Sequence, residues 1–354
     1  MKTQLRIFLI EVRRVRRFIA IIFSLMGVGW HSFYAGDSMS NKILFTPGPA
    51  NTSNNVKQVM YADMGTHDED FHTLMKALRD KLMHVAAFNS DYTPILLPGS
   101  GTTGLEAIFT SAIPEKGRCL VLSNGVYGDR LAEILRRYRI KHDTLNFPVN
   151  VSITPDHITS MLSEPISSYT HIAMIHCETS SGIINDIDSV AKFSTDNEID
   201  FIVDGMSSFG GIPIHCPFTY LVTSPGKCLQ SVPRFSIIFA KKDALQECAN
   251  QARTYTLDLF AQWRAHTELQ EFRFTPPVQA LLACHQALTE LVHEGGIKAR
   301  HSRYAANQQQ IARGMDTLGF ERIIPDEVQS PIITSFHAPH KHFNFERLYE
   351  QLRK

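Results

Sequence analysis

The chain has 354 residues, 44% of them hydrophobic and 20% charged, a composition that fits a globular protein with room for two domains and gives no sign of disorder. Thirty-five basic residues balance thirty-five acidic ones, so no net field draws the chain to nucleic acid, and a small-molecule partner is expected. Six cysteines, at 119, 177, 216, 228, 248 and 284, form no CxxC pair; they read as free thiols of a reducing, cytoplasmic compartment, with no structural metal.

Arg6, Arg13, Arg14, Arg16 and Arg17 precede the apolar run Phe18 to Trp30. Its 13 residues fall short of the about 20 that a bilayer span needs, although its length and positive flank match a signal-peptide core. Ser32-Phe33-Tyr34-Ala35 sets a bulky Phe where a cleavage site prefers a small residue. Residues 1–38 therefore read either as a weak signal-like leader or as the product of a start called too far upstream, with Met39 the alternative start. Globular patterning begins at Asn41-Lys42-Ile43-Leu44-Phe45.

The acidic run His67-Asp68-Glu69-Asp70 cannot turn four adjacent helical side chains onto one ion, and it reads as the charged start of a helix. From residue 72 onward strand and helix signals alternate, which predicts an α/β sheet layered with helices. Short apolar runs at Thr93–Leu97, Cys119–Leu122, His171–Ile175, Phe201–Val203 and Phe235–Ala240 predict buried strands of a mostly parallel sheet. Arg130–Tyr138 and Val278–His293 carry helical periodicity, the second stopped by Gly295-Gly296. Ligands in such sheets gather at the carboxyl ends of the strands. Four polar clusters fall at those ends, Gly99–Gly104, Ser123–Gly128, Cys177–Gly182 and Asp204–Ser208, and together they suggest one shared site, although loops are rich in Gly and Ser in any case.

Gly99-Ser100-Gly101-Thr102-Thr103-Gly104 opens the apolar helix beginning at Leu105, so its backbone N–H groups and the positive helix end form a phosphate cradle or, on the simpler reading, a structural turn. Read as GxGxxG it would need an acidic residue about 20 positions on for a dinucleotide ribose; the next strand ends in Ser123-Asn124 instead, which disfavours a dehydrogenase. Tyr127, between two glycines, either stacks on a flat ring or packs over a helix. His176 and Cys177 are neighbours in an extended strand and point to opposite faces, so they do not form a nucleophile pair; Thr179 is the better donor to a cofactor oxygen. Lys227, on a Gly/Pro-rich turn 23 residues after the strand-end Asp204, is either a surface lysine or an amine placed to form a Schiff base with an aldehyde. Paired, the two suggest a pyridoxal phosphate site, with Asp204 holding the ring nitrogen protonated.

Thr46-Pro47-Gly48-Pro49, Gly99 to Thr102, Ser123-Asn124-Gly125, His176 to Gly182, Val203 to Gly211 and Lys227-Cys228-Leu229-Gln230 resemble the class V pyridoxal phosphate aminotransferases, and the resemblance runs from about Asn41 to the C-terminus, through Leu257 to Arg264, Arg273-Phe274-Thr275 and Ser330 to Thr334. It implies fold type I: a mostly parallel seven-stranded sheet with helices on both faces in a domain spanning 39–290, an incomplete smaller α+β domain over 291–354, and a homodimer. It implies that Lys227 carries the Schiff base and the proton, that Asp204 partners the pyridinium, that Ser100, Gly101 and Thr102 hold the phosphate, that Tyr127 stacks on the ring, that Thr179 contacts its phenolic side and that Thr275 reaches the phosphate of the neighbouring subunit. The implied reaction gives the amino group of 2-aminoethylphosphonate to pyruvate, leaving phosphonoacetaldehyde and alanine. A sister enzyme acting on an amino acid and glyoxylate or pyruvate, and a truncated non-catalytic paralogue, are the alternatives.

The chain departs from the family pattern in places. Family members continue past Lys354 through a segment carrying the arginine that clamps the acidic end of each substrate, and Arg273 and Arg322 are replacements by charge alone. Pro225-Gly226 stands where an alanine and an asparagine are usual. Ser231 and Arg234 replace glycines after the lysine, which predicts backbone strain if the loop is left-handed there, and predicts added bulk beside the cofactor from Arg234.

Overall fold

The structure, a computed structural model, describes residues 43–353; the expectations for residues 1–38 lie outside the described residues. A short helix α1 (Asn54–Gln58) is followed by α2 (Glu69–Ala86), whose first turn holds Glu69 and Asp70, so the acidic run does open a helix. The order then runs β1 (Tyr92–Gly99), α3 (Gly101–Ala112), β2 (Arg118–Ser123), α4 (Val126–Arg137), β3 (Lys141–Asn146), α5 (Pro155–Met161), β4 (His171–Ile175), and a small ribbon β5 (Cys177–Glu178) and β6 (Ile183–Ile184). It continues with α6 (Ile187–Asp196), β7 (Asp200–Asp204), β8 (Tyr220–Thr223), β9 (Arg234–Lys241), α7 (Lys242–Glu247), α8 (Leu259–Arg264), α9 (Val278–Glu294), α10 (Gly296–Thr317) and α11 (Phe345–Arg353).

Seven strands form one sheet in the order β1-β9-β8-β7-β4-β2-β3. β8, β7, β4, β2 and β3 run parallel, and β9 is antiparallel to both of its neighbours, β1 and β8. Both faces are covered, which is why the central strands read as continuous apolar runs. Leu96, Leu120, Leu122 and Val203 enter one core with Phe71, Leu78 and Leu288, while Ile95, Leu97, Val121 and Ile202 enter the other with Ile108, Phe109 and Leu135. Pro94 and Pro98 are tolerated in β1 because it is an edge strand.

All five strands expected from apolar runs are present; β1 is extended by three residues and β2, β7 and β9 by two each, while β4 has the expected bounds. Patterning missed β3 and β8. β3 is the opposite edge, and its Lys141-His142-Asp143-Thr144 carries no apolar run; β8 has four residues, too few to show a period. Beyond α10, Phe320, Phe336 and Phe343 form a small separate cluster, and Ser330 N donates to Gly182 O (2.8 Å), tying this part of the chain to the β5–β6 ribbon. Among the described residues no helix is long and apolar enough to cross a membrane.

Candidate active site

A cavity of about 240 Å³ opens at the carboxyl ends of the parallel strands, and all four polar clusters reach it. Its walls carry Ser100, Gly101 and Thr102 from the start of α3, Tyr127 and Arg130 from α4, Cys177 and Thr179 from the ribbon, Asp204, Met206 and Ser207 after β7, and Lys227 with Gly226 and Pro233.

Asp204 ends β7 between Ile175 of β4 and Val222 of β8, so the sheet itself delivers its carboxylate. It is 6% exposed, and Oδ1 accepts one hydrogen bond, from Met206 N (2.8 Å). Desolvation pushes its pKa up to about 7; the Met206 hydrogen bond and the positive charges of Lys227 and Arg130 oppose that rise, and Glu178 adds to it. A carboxylate held this way is stabilised by a cation placed in the cavity.

The stem of Lys227 lies against Gly48: a Cβ built on Gly48 would stand 2.6 Å from Lys227 Cδ, and at φ +159° the position favours glycine in its own right. The Gly48-Pro49 bond is cis, and Ala50 N donates to Gly226 O (3.0 Å), so the segment before α1 braces the lysine turn. Gln230 N donates to Lys227 O (2.8 Å) and Ser231 N to Pro225 O (3.0 Å), closing that turn on itself.

At the start of α3, Ser100 N donates to Thr103 Oγ1 (3.0 Å) and Thr103 N donates back to Ser100 O (2.9 Å), which leaves the amides of Gly101 and Thr102 for another acceptor. Gly101 has no room for a side chain, since a Cβ would fall 2.0 Å from Met206 Sδ. Tyr127 lies at the start of α4, and the Arg130 guanidinium stands over its ring at 4.6 Å. Below that turn sits Glu178, fully buried, accepting from Tyr127 N and Gly128 N (3.1 Å each) through Oε2 and from Ser180 N (3.0 Å) and Ser180 Oγ (2.6 Å) through Oε1. Burial pushes its pKa up, against the pull of these four donors. Glu178 thus fixes the helix start that presents Tyr127.

His176 and Cys177 do part company, as strand geometry predicts. His176 Nδ1 pairs with Ser208 Oγ (2.9 Å) and burial lowers its pKa to about 4; Cys177 Sγ lies 3.2 Å from Ser330 Oγ, and burial raises its pKa to about 11, so neither is a nucleophile or base here. Asn124 exchanges amide hydrogen bonds with Asn185 (2.7 and 3.1 Å) and donates to Val151 O (3.1 Å), so both of its donors are committed within the fold. All six cysteines are free and buried.

Three expectations, for Arg234, for Ser231 and for Arg273 and Arg322, need correction. Arg234 does not crowd the site: it is exposed, and Pro233, not Arg234, lines the cavity. The left-handed residue after the lysine is Gln230 (φ +59°) rather than Ser231, while Arg234 does take φ +156°. Thr275 is exposed and outside this chain's own cavity, while Arg273, engaged with Tyr255 O (2.7 Å) and Asp258, and Arg322, paired with Asp316 and Asp326, are half-buried and also outside it. The arginine that does line the cavity is Arg130, which the sequence reading did not single out; its i+3 spacing from Tyr127 on one helix was the signal that could have found it. Gly48 and Glu178 carried no such local signal.

The aminotransferase class-V family model matches residues 49–351. The 2-aminoethylphosphonate–pyruvate transaminase of Lysinibacillus sphaericus is 38% identical over 320 residues, covering 89% of this chain and 87% of that protein. The protein of the same name from Syntrophobacter fumaroxidans is 40% identical over 317 residues, covering 88% and 85%. Among solved structures, pyridoxamine–pyruvate aminotransferase from Mesorhizobium loti superposes with a TM-score of 0.80 at 26% identity, covering 89% of this chain and 81% of that one. Alanine–glyoxylate aminotransferase from Nostoc sp. gives 0.81 at 22% identity, covering 91% and 86%. The sheet order, with the strand ends converging on one cavity, and a family match over nearly all of the described chain agree: this chain belongs to the class-V aminotransferases and has their fold type I architecture.

Proposed function

We propose that the chain transfers the amino group of 2-aminoethylphosphonate to pyruvate, with pyridoxal phosphate as cofactor, giving phosphonoacetaldehyde and alanine. The observation that carries the reading is that the desolvated Asp204 carboxylate and the Lys227 amine line one cavity in a chain about 40% identical to relatives bearing that activity in their names. The residues present fit the cofactor: a buried carboxylate in need of a cation, a helix start with unused amides for a phosphate, and a side-chain-free Gly101 between them.

Pyridoxal phosphate, when bound, supplies a covalent partner for the amine and an electron sink for the carbon next to it. Ser100, Gly101 and Thr102 hold its phosphate through first-turn amides and hydroxyls. Asp204 would keep the ring nitrogen protonated, and Tyr127 and Thr179, which line the same cavity, would contact the ring. The Lys227 amine, once released, takes a proton from the substrate carbon and returns one as general base and then general acid. Gly48 limits where that amine can stand. Arg130, the one arginine among the lining residues, takes the anionic end of either substrate. Thr275 serves the neighbouring subunit of a homodimer. We further propose a division at about residue 290 between a large and a small domain, and a cytoplasmic location.

The visible absorption spectrum of protein loaded with pyridoxal phosphate tests the reading. The band is lost on adding 2-aminoethylphosphonate and returns on adding pyruvate. A band unmoved by 2-aminoethylphosphonate but lost with an amino acid transfers the chain to a sister activity, and absence of any band refutes the cofactor assignment.

A further inference from the structure

Arg300 is 2% exposed, and it lies on α10, outside the cavity. An arginine buried that completely needs partners for its charge, and this one divides its donors between two of them. Nε and Nη2 donate to Glu294 Oε2 (2.9 and 2.8 Å), and Nη1 donates to the backbone carbonyl of Cys228 (2.7 Å), the residue that follows Lys227. Glu294 can face Arg300 because two left-handed glycines, Gly295 (φ +106°) and Gly296 (φ +77°), turn the chain sharply from α9 into α10. Its other oxygen accepts from Arg303 Nε (2.7 Å).

One helical turn further along α10 comes a second tie. Arg303 stacks on the ring of Tyr304 (5.1 Å), whose hydroxyl accepts from Gln230 Nε2 (2.9 Å), and Gln230 N closes the turn on Lys227 O. The α9–α10 elbow therefore grips the lysine turn at Cys228 and at Gln230.

We propose that Arg300 is a positioning residue for Lys227: through the Cys228 carbonyl it sets where the lysine amine stands in the cavity. Lysine carries the charge without the planar fork that reaches a carboxylate and a carbonyl together, so it cannot substitute. This rests on Lys227 being the cofactor-bonding amine.

The test compares wild type, Arg300→Lys and Tyr304→Phe, the last leaving the charged cluster intact. Three quantities are read: kcat and KM with 2-aminoethylphosphonate and pyruvate, the midpoint of the pH titration of the visible band in cofactor-loaded protein, and the rate at which Lys227 of the cofactor-free protein is acylated, followed by peptide mass spectrometry. Arg300→Lys is expected to lower kcat by about 10–100-fold with KM changed by less than about 3-fold, since misplacing a catalytic group acts on the chemical step. It should also move the titration midpoint and the acylation rate, with Tyr304→Phe showing the same changes at smaller size. Unchanged midpoint and acylation rate in folded Arg300→Lys overturn the proposal, as does a fall in kcat that only follows the folded fraction. Acylation is read without substrate or cofactor, so it separates this proposal from the choice of amine donor.

Discussion

The cavity wall formed by Ser100, Gly101 and Thr102 comes from one strand end and the helix that follows it, whereas the wall carrying Lys227 is held by segments distant in the chain: Gly48 against its stem, Ala50 on Gly226, Arg300 on Cys228 and Tyr304 on Gln230. The first wall is set by residues adjacent in sequence, whereas the second depends on contacts from segments about 70 to 180 positions away. Binding of an anion and placement of the reacting amine are thus separable properties of the same site.

Breaking the second wall at its centre has the largest effect. Lys227→Ala is expected to lower transamination by about 10³-fold or more and remove the visible band, while leaving phosphate affinity at the α3 start intact. Retained turnover at wild-type rates would remove Lys227 from the chemistry.

Asp204→Asn separates function from stability. Its folded pKa, near 7, lies above the usual carboxylate value of 3.8, so between about pH 4 and pH 7 the folded cofactor-free protein keeps a proton that the unfolded chain releases. That stability is present at low pH and lost as pH rises through the window. Asp204→Asn should therefore raise the denaturation midpoint of cofactor-free protein at pH 8, by on the order of 1 kcal/mol, while cutting turnover by about 100-fold. A lower midpoint at pH 8 would show that Asp204 is paired in the free protein.

Gly48→Ala sharpens the comparison. The added methyl meets Lys227 Cδ at 2.6 Å, and the far end of a lysine can move away, so kcat should fall about 10-fold with little change in unfolding midpoint. Gly101→Ala, pressing on Met206 Sδ at 2.0 Å in the first wall, should instead weaken cofactor binding, and Met206→Ala in the same chain should restore it in part. The smallest functional effect is expected for Glu178→Gln. Replacing an acceptor of four hydrogen bonds should cost about 1–3 kcal/mol in chemical denaturation, with turnover of the folded protein changed by less than in the variants above.

The same division decides what the sequence made legible. Strand ends rich in small residues placed the first wall, and the apolar runs placed five of the seven sheet strands, because both depend on neighbours within a few residues; β8, buried throughout, was too short to show a pattern. Asp204 was legible as the end of an apolar strand. Gly48, Glu178 and Arg300 were not, since each acts on a partner 50 to 180 positions away through packing or a buried hydrogen bond. Arg234 misled for the same reason: its position after the lysine suggested crowding, but the β9 start turns its side chain to solvent.

The central claim is that Lys227 is the amine that bonds the cofactor across from Asp204. Reducing the pyridoxal-phosphate-loaded protein with borohydride and mapping the peptides by mass spectrometry tests it directly. The account predicts a pyridoxyl group fixed on Lys227 and its loss in Asp204→Asn at limiting cofactor; a label on a different lysine, or none on Lys227 in folded protein, would contradict it.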